Sequence, residues 1–493
     1  MMAKAYLRKI PFLVFSAILT CLTYGSAWGG KVYKSRISPN WASDGSHMWY
    51  RNDLAKGAKE YVLVDLKKGN REPAFDQNKL AETLIENGIK GVQADRLPID
   101  RLQFDLSENQ AFFRAKGKPF AWDRKTHQLK EAKPPEIDKK PEEKNKDEEK
   151  PKVYRPSRKL SPDGKWALYV RDHNLFVKPT GDGDEIQLSK DGREGHEYKE
   201  AFWAPDSNHL VSFRVKPGKI SEVHLVESSP KGGGPAKLHS RKYPLPGDPF
   251  TTFELNWFDL PSKLQKKPDV GLIDFRWPRL RWSPDGRKFH YLKIDRGHQR
   301  LRVIEFDTFT GQHRNVINEI SDTFIWTEHP KDLGVPLVNW LTKSDEIIYL
   351  SEKDGWRHLY LIDVPTGKIT NPITKGEFVV RYVDHIDEEK RQVWFRASGR
   401  NPGQDPYLMH YYRVNFDGSG LTPLTEGNGW HKIVYSPNRK FIIDTYSRVD
   451  QPPVHELRRV SDGKLVCKLE QADVSELKAE GWEPPEVFKA KGR

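Results

Sequence analysis

A short turn motif recurs along the chain and constrains its fold more than any other feature. The segment Trp282-Ser-Pro-Asp-Gly286 is typical of a tight turn, because proline presets φ and Asp-Gly tolerates a sharp reversal. The alternating run Lys288–Ile294 predicts a half-buried strand, and a second such run, Leu301–Phe306, precedes a turn that ends in Thr310-Gly311. A unit of such short strands cannot bury its own faces, so neighbouring copies must cover them.

Eight copies of this unit can be placed along the chain. The equivalent turn positions are Asp44, Glu108, Asp163, Asp206, Asp285, Lys343, Glu389 and Asn438. They lie 43 to 79 residues apart, whereas four strands with their turns need roughly 40 to 50 residues, so the longer intervals carry insertions. The pattern predicts an all-β fold, an eight-bladed β-propeller of four-stranded antiparallel blades with short helical insertions, over residues 31–470.

Two insertions have a distinct pattern. Pro73–Lys90 is predicted to form a helix with Leu80, Leu84 and Ile85 on one face, and residues 228–275 lengthen the fourth repeat with a Gly- and Pro-rich loop. Both segments lie between predicted blades or strands, so they are expected to decorate the propeller.

Residues 130–152 contain lysines, acids and prolines with almost nothing apolar. Such a segment cannot offset its ordering entropy by burial and is predicted to be a disordered insertion, with a docking segment as the alternative. Residues 471–493 leave the repeat pattern and are interpreted as a linker toward an absent hydrolase domain, in which Glu486–Ala490 is predicted to begin a strand.

The first 27 residues are typical of an export signal. They combine three basic residues, a largely apolar run at Ile10–Tyr24 and small residues at Gly25-Ser-Ala27, and the apolar run is shorter than the ~20 residues that span a bilayer. We therefore expect a periplasmic or secreted protein with no stable membrane span after cleavage. Cys467 is then the one remaining cysteine, which excludes an internal disulfide.

The net charge of +13 does not indicate nucleic-acid binding. Lys and Arg are scattered through every repeat among 69 acidic residues, whereas nucleic-acid proteins cluster them on one surface. A solvated, mixed-charge surface explains the balance, and no nucleic-acid partner is expected.

The chain carries few motifs for chemistry. No G-x-S-x-G elbow occurs, so no catalytic residue is predicted. His196-Glu-Tyr-Lys-Glu200 resembles a zinc helix but has Glu where H-E-x-x-H needs a second His, and Thr180-Gly-Asp-Gly-Asp184 occupies a repeat turn. We expect no metal site and no cofactor.

An acidic cluster before the fourth repeat is the candidate binding site. Glu194, Glu197 and Glu200 lie in the connection that enters this blade. Carboxylates projecting from such a loop can hold the terminal ammonium of a peptide through charge-assisted hydrogen bonds. The alternative is a solvated acidic turn neutralised by Arg193 and Lys199.

Several segments together resemble a known family. They are Leu160-Ser-Pro-Asp-Gly-Lys-Trp166, Ser351-Glu-Lys-Asp-Gly-Trp-Arg-His-Leu-Tyr360, Ile373-Thr-Lys-Gly376 and Tyr412-Arg-Val-Asn-Phe-Asp-Gly418. This combination is similar to the N-terminal propeller of the dipeptidyl peptidase IV serine peptidases, which belong to the prolyl oligopeptidase clan. The resemblance implies a propeller that gates access to an α/β-hydrolase domain and presents glutamates to the amino group of a peptide substrate.

The sequence departs from that family in two respects. The chain ends at Arg493, where the family enters its catalytic domain, and the adjacent glutamate pair of well-known members is not present as such. We therefore expect a non-catalytic, substrate-gating and substrate-binding propeller whose partners are a peptide and a separately encoded hydrolase domain. The alternative is a free-standing periplasmic propeller that binds protein partners.

Overall fold

The computed structural model describes residues 31–132, 159–274, 277–327, 336–486 and 488–492. The predicted export signal and residues 133–152 of the predicted disordered insertion lie outside these ranges. Lys130, which the prediction places in this insertion, belongs instead to a strand, in which it pairs with Ala121. The chain divides into two compact units, one formed by Met1–Lys144 with Glu377–Arg493 and the other by Asn145–Gly376.

The first four blades follow one another along the chain. Blade 1 contains β1 (Asn40–Trp41), β2 (His47–Asp53), β3 (Lys59–Asp65) and β4 (Arg71–Pro73), and blade 2 contains β5 (Ile99–Asp105), β6 (Gln110–Ala115), β7 (Lys118–Asp123) and β8 (Leu129–Glu131). Blade 3 contains β9 (Trp166–Arg171), β10 (Asn174–Pro179) and β11 (Ile186–Gln187). Blade 4 starts with β12 (Glu197–Trp203) and β13 (His209–Lys216), continues after the hairpin β14 (Glu222–Glu227) and β15 (Lys237–Lys242), and ends with β16 (Thr252–Asp259) and β17 (Leu264–Lys266).

The other four blades have the same order. Blade 5 contains β18 (Arg281–Trp282), β19 (Lys288–Ile294), β20 (Arg300–Asp307) and β21 (His313–Ile320), and blade 6 contains β22 (Val338–Trp340), β23 (Glu346–Ser351), β24 (His358–Asp363) and β25 (Lys368–Pro372). Blade 7 contains β26 (Val379–Asp387), β27 (Gln392–Ser398), β28 (Met409–Asn415) and β29 (Thr422–Pro423). Blade 8 contains β30 (Trp430–Tyr435), β31 (Phe441–Arg448), β32 (Gln451–Arg459) and β33 (Leu465–Gln471).

These sheets confirm the predicted eight-bladed β-propeller fold. Seven sheets have four strands and blade 3 has three, with the isolated antiparallel bridge Leu160–Ala167 at the place of its first strand. Seven of the eight predicted turn positions lie between the first and second strands of a blade. The eighth, Asp163, lies between the bridge residue Leu160 and β9. The Thr310-Gly311 turn lies between the third and fourth strands, and in an antiparallel sheet both turns lie at the same edge. The loops between second and third strands, and the connections between blades, lie at the opposite edge.

The turns are held by their own side chains. In blade 5 the Ser283 hydroxyl donates to Asp285 Oδ1 at 2.5 Å, and the same oxygen accepts from the Arg287 amide at 3.0 Å. Gly286 has φ +71°, a conformation that glycine adopts without strain. Local hydrogen bonds of this kind explain why the motif specifies the reversal wherever it occurs.

The helix predicted after blade 1 is present as α1 (Gln77–Glu86). The Asp76 side chain accepts from the amides of Asn78 and Lys79, both at 3.0 Å, which satisfies two free N–H groups of the first turn. Leu80 and Leu84 are buried, as predicted, whereas Ile85 is 55% exposed, so its assignment to the apolar face was wrong. The face that packs runs through Ala81 instead.

The C-terminal segment differs from its prediction. A short helix, α2 (Ser475–Ala479), follows blade 8, but neither residues 482–486 nor residues 488–492 form a strand. Phe488 is 82% exposed and no described strand pairs with this segment, so it lacks the neighbour that a strand needs. Among all residues that the structure describes, no helix is long and apolar enough to span a bilayer.

Within the first unit, blade 8 packs against blade 1. Met48, Tyr50 and Val64 of blade 1 share one apolar cluster with Ile443 and Leu457 of blade 8. The start of the chain therefore covers a face that the end of the chain cannot bury alone.

A buried carboxylate lies at this joint between the blades. The Glu470 side chain, which is 5% exposed, accepts from the Tyr50 hydroxyl at 2.9 Å and from Asn52 Nδ2 at 2.8 Å. It also pairs with Arg71, and Lys34 Nζ lies 3.4 Å from its Oε2. Four donors from the start of the chain thus converge on one acid of the last strand.

Replacing this acid should destabilise the protein strongly. Glu470→Ala leaves Arg71 and the hydroxyl and amide groups near it without their acceptor, so we expect the free energy of unfolding to fall by about 3 kcal/mol. Chemical denaturation followed by circular dichroism measures the change. The matched control is Glu480→Ala, which removes the exposed Lys31–Glu480 pair and should cost less than about 1 kcal/mol. Equal effects of the two substitutions would show that the joint does not depend on Glu470.

Candidate functional site in the connection between blades 3 and 4

Residues 188–196 connect β11 to β12 and are fixed onto blade 3 by a close backbone approach. The Gly192 amide donates to Asn174 Oδ1 at 2.8 Å. A Cβ at this position would lie 2.1 Å from the His173 carbonyl oxygen, which no side chain can tolerate. The glycine thus lets the connection lie directly on the β9–β10 hairpin.

Glu194 lies at the corner of a tight turn in this connection. The Arg193 amide donates to the His196 carbonyl oxygen at 3.1 Å and the His196 amide returns a bond of 2.9 Å. Gly195 has φ +73°, so the turn places Glu194 in solvent. Its carboxylate forms no ion pair with any residue that the structure describes.

Glu197 begins β12 and already has partners. Its carboxylate oxygens lie 3.2 Å from Lys199 Nζ and 3.5 Å from His173 Nδ1. The side chain is 32% exposed, so that it remains accessible to a competing cation at one side.

Glu200 lies in a β-bulge of β12. Lys199 pairs with Phe213 and Ala201 pairs with Ser212, so Glu200 is the extra residue, and its φ is +53°. A bulge re-aims a side chain relative to its neighbours and is common beside functional sites. The side chain of Glu200 is partly buried.

The strand conformation also excludes the zinc-helix interpretation of residues 196–200. Positions i and i+4 share a face in a helix, but β12 runs from Glu197 to Trp203. Within the described ranges, no group of three or more His, Cys, Asp or Glu side chains is arranged to hold a metal ion. Residues 180–184, which were assigned to a repeat turn, lie between β10 and β11.

Sequence reasoning missed an ion cluster that supports the connection. Asp191 Oδ2 lies 2.7 Å from Arg214 Nη1 and 2.6 Å from Lys267 Nζ, and its Oδ1 accepts from the Tyr198 hydroxyl at 2.8 Å. Arg214 also pairs with Glu254 at 2.5 Å. These residues are far apart in the chain, and only the register of β13 with β16, which opposes Arg214 to Glu254, brings them together.

The cluster changes the acidity of Asp191. Burial would raise the pKa of this carboxyl, but hydrogen bonds from Lys267, Tyr198 and Gln265 outweigh burial and lower the pKa to about 2. Burial raises the pKa of Tyr198, so its hydroxyl keeps its proton and acts as a donor to the acid. Asp191 is thus a charged anchor one residue before Gly192.

Asp191→Asn should destabilise the protein at neutral pH but not in acid. A lowered pKa means that the contribution of the group is present above about pH 4 and is lost as the pH falls toward 2. We expect a cost of about 1–2 kcal/mol at pH 7, reduced from the full linkage value by solvent screening, and almost none at pH 2. Denaturation series at several pH values measure it, with the exposed Asp184→Asn as control. A cost that does not change with pH would contradict the ion-pair explanation.

The matching family model is described as the dipeptidyl peptidase IV (DPP IV) N-terminal region, and it covers residues 136–453, more than half of the chain. The match covers all of blades 3 to 7 and part of blade 8. It includes Glu194 of the connection and Glu197 and Glu200, which the structure places in β12 rather than in the connection.

Similar curated proteins come from fungi. A probable dipeptidyl-aminopeptidase B of Aspergillus fumigatus is 24% identical over 58% of this chain and 34% of its own length. A probable dipeptidyl peptidase 4 of Aspergillus flavus is 24% identical over 59% of this chain and 40% of its own length. The matched part is thus well under half of each relative.

Among solved structures, Porphyromonas gingivalis dipeptidyl peptidase 4 is similar with a TM-score of 0.43 at 15% identity, over 92% of this chain and 62% of that one. The extent of the family match decides the assignment. This chain belongs to the family defined by the N-terminal region of dipeptidyl peptidase IV.

Proposed function

We propose that the chain is the non-catalytic propeller of a dipeptidyl peptidase IV-like serine peptidase, in which it binds peptide substrates and gates their access. The observation that carries the proposal is the position of Glu194. Its carboxylate is exposed and forms no ion pair with any described residue, and it lies on a turn between blade 3 and β12. Export through the signal at residues 1–27 is part of the proposal and is supported by the basic and apolar pattern of that segment.

The relatives' names indicate enzymes that release dipeptides, and a substrate for such chemistry carries a free ammonium near the reacting bond. A carboxylate binds an ammonium well when it is positioned in advance, because charge-assisted hydrogen bonds are short and directional. The contacts of Gly192 and Asp191 position Glu194 in this way. The rigid support is what distinguishes this acid from other exposed acids of the surface.

Glu197 and Glu200 have supporting roles in the proposal. A substrate ammonium would compete with Lys199 for Glu197, since the two lie 3.2 Å apart. Glu200 adds negative charge from the bulge three residues further along the chain. The order of importance is therefore Glu194, then Glu197, then Glu200.

Gating follows from the place of the site in its blade. The connection between blades 3 and 4 lies at the edge of the sheets opposite the Asp-Gly turns. A catalytic domain that approached this edge would receive a peptide held by its amino end. We propose that this domain is an α/β-hydrolase.

The amine site can be tested with one pair of peptides. The double variant Glu194→Gln with Glu197→Gln should bind a peptide with a free amino terminus roughly tenfold more weakly than the wild type, because hydrogen bonds to charged groups contribute about 1.5–3 kcal/mol. Binding of the acetylated peptide should not change. Calorimetric titration measures both affinities.

Asp182→Asn is the matched control for this experiment. It removes an exposed acid from the turn between β10 and β11, at the other edge of blade 3, and should leave both affinities unchanged. If the wild type binds free and acetylated peptides equally well, the ammonium site is wrong.

The non-catalytic role has a separate test. Acyl transfer needs a serine activated by a His–carboxylate pair and donors for the oxyanion, and the sequence has no G-x-S-x-G elbow. We expect the purified 493-residue chain neither to hydrolyse X-Pro chromogenic dipeptides nor to react with a fluorophosphonate probe. Stoichiometric labelling, located by peptide mass spectrometry, would overturn this part and leave the amine site untouched.

A further inference from the structure

One face of blade 5 carries two buried donor atoms that have no acceptor among the described residues, together with a lysine that is almost fully buried. Lys293 is 5% exposed and Tyr291 is 2% exposed. The Tyr291 hydroxyl and Arg302 Nε are buried polar atoms without a hydrogen-bond partner, and Lys293 forms neither an ion pair nor a hydrogen bond within the described ranges. An unsatisfied buried donor destabilises the folded state, and a charged one does so more strongly.

Strand pairing brings the three groups together. Lys293 of β19 lies directly opposite Arg302 of β20, where cross-strand Cβ atoms are about 4.5–5.5 Å apart. Tyr291 is two residues before Lys293 and therefore projects to the same face. All three side chains therefore lie on the same face of blade 5, and Lys293 and Arg302 lie near the edge where the connections are.

The electrostatics of this region are unfavourable without a negative charge. Burial lowers the pKa of Lys293, and the positive charge of Arg302 lowers it further. Like charges directly opposite each other in a sheet are destabilising. Lys293 and Arg302 thus occupy directly opposite positions on neighbouring strands, where two positive charges repel each other.

Nearby acids balance only part of this charge. Asp295 pairs with Arg302 through Nη2, which leaves Nε free to donate. Asp274 attracts Lys293 electrostatically without forming an ion pair with it. Arg300 also repels Lys293. The three cations thus exceed the two acids, Asp295 and Asp274, by one positive charge.

Gly271 of the connection between blades 4 and 5 lies close to the lysine. Gly271 has φ +71°, and a Cβ there would lie 3.5 Å from Lys293 Nζ. Ile273 is tied to blade 4 through its carbonyl oxygen, which accepts from the Phe253 amide at 2.8 Å. The backbone of this connection is thus held in place beside Lys293.

We propose that Lys293, Arg302 and Tyr291 form a binding site for one small carboxylate anion. Its single negative charge matches the local excess, and its two oxygens supply acceptors for three donors. A water molecule would satisfy hydrogen bonds but would not neutralise the lysine. The site is independent of the glutamates of blade 4 and does not rest on the proposed peptidase role.

Exchange of chloride for acetate at constant ionic strength tests the site. In the wild type, stepwise replacement should raise thermal stability in a saturable way, by ~11-fold in the ratio of folded to unfolded protein when acetate is at ten times its Kd. Saturation-transfer NMR on the acetate methyl group should detect bound acetate directly. Equal stabilisation by chloride and acetate would overturn the carboxylate assignment.

Two variants separate binding from folding. Lys293→Met should abolish the saturable response, and Tyr291→Phe, which removes only a hydroxyl, should weaken it several-fold. Lys368→Met, which removes an exposed lysine of β25, should respond like the wild type. If Lys293→Met fails to fold, the Tyr291→Phe and NMR measurements still decide. A saturable response that persists in Lys293→Met, or no acetate signal in the wild type, would refute the site.

Discussion

Glu470 and the neighbouring apolar cluster join blade 8 to blade 1. The arrangement of the first unit depends on this joint. A four-stranded sheet has two apolar faces and cannot bury both alone. One face of blade 8 is covered by blade 1, so the residues around Tyr50 and Leu457 meet although they are far apart in the chain. The buried acid adds specificity, because only a neighbour that presents four donors can compensate its desolvation.

The antiparallel order of the strands gives each blade two edges with different kinds of loop. The Asp-Gly turns lie at one edge, where short local hydrogen bonds such as that of Ser283 with Asp285 suffice to form them. The connections between blades lie at the other edge, and their conformation depends on the neighbouring sheet. Gly192 on blade 3 and Gly271 above Lys293 illustrate this dependence. Candidate binding groups therefore occur at the edge whose loops are positioned by packing between blades.

The two candidate sites have opposite charge and different construction. The first consists of carboxylates on an anchored connection, with Glu194 in solvent and Asp191 bound below it. The second consists of donors on paired strands, with Lys293 almost fully buried. An exposed carboxylate suits a ligand that arrives with bulky substituents, such as a peptide. Donors of which two are buried and unsatisfied suit a small anion, because an anion supplies both acceptors and negative charge.

The all-β propeller fold, the number of blades and the family could all be predicted from the amino-acid sequence. These properties are repetitive and local: each turn, such as Ser283–Gly286, carries its own hydrogen-bonding groups, and each strand carries its own alternation. The clustering of Glu194 and Glu197 before blade 4 was also visible, because neighbours in sequence remain neighbours in a turn. Ile85 and the expected strand at 486–490 were misjudged, since burial and strand pairing depend on partners elsewhere in the chain.

The contacts between distant polar residues, in contrast, could be identified only from the tertiary structure. Asp191 with Arg214, Lys293 opposite Arg302, and the donors around Glu470 are each brought together by strand register or by packing between blades. Nothing in the local pattern distinguishes these charges from the many that face solvent. Their energies depend on burial and on distances across the fold, and a linear sequence specifies neither until the sheets have assembled.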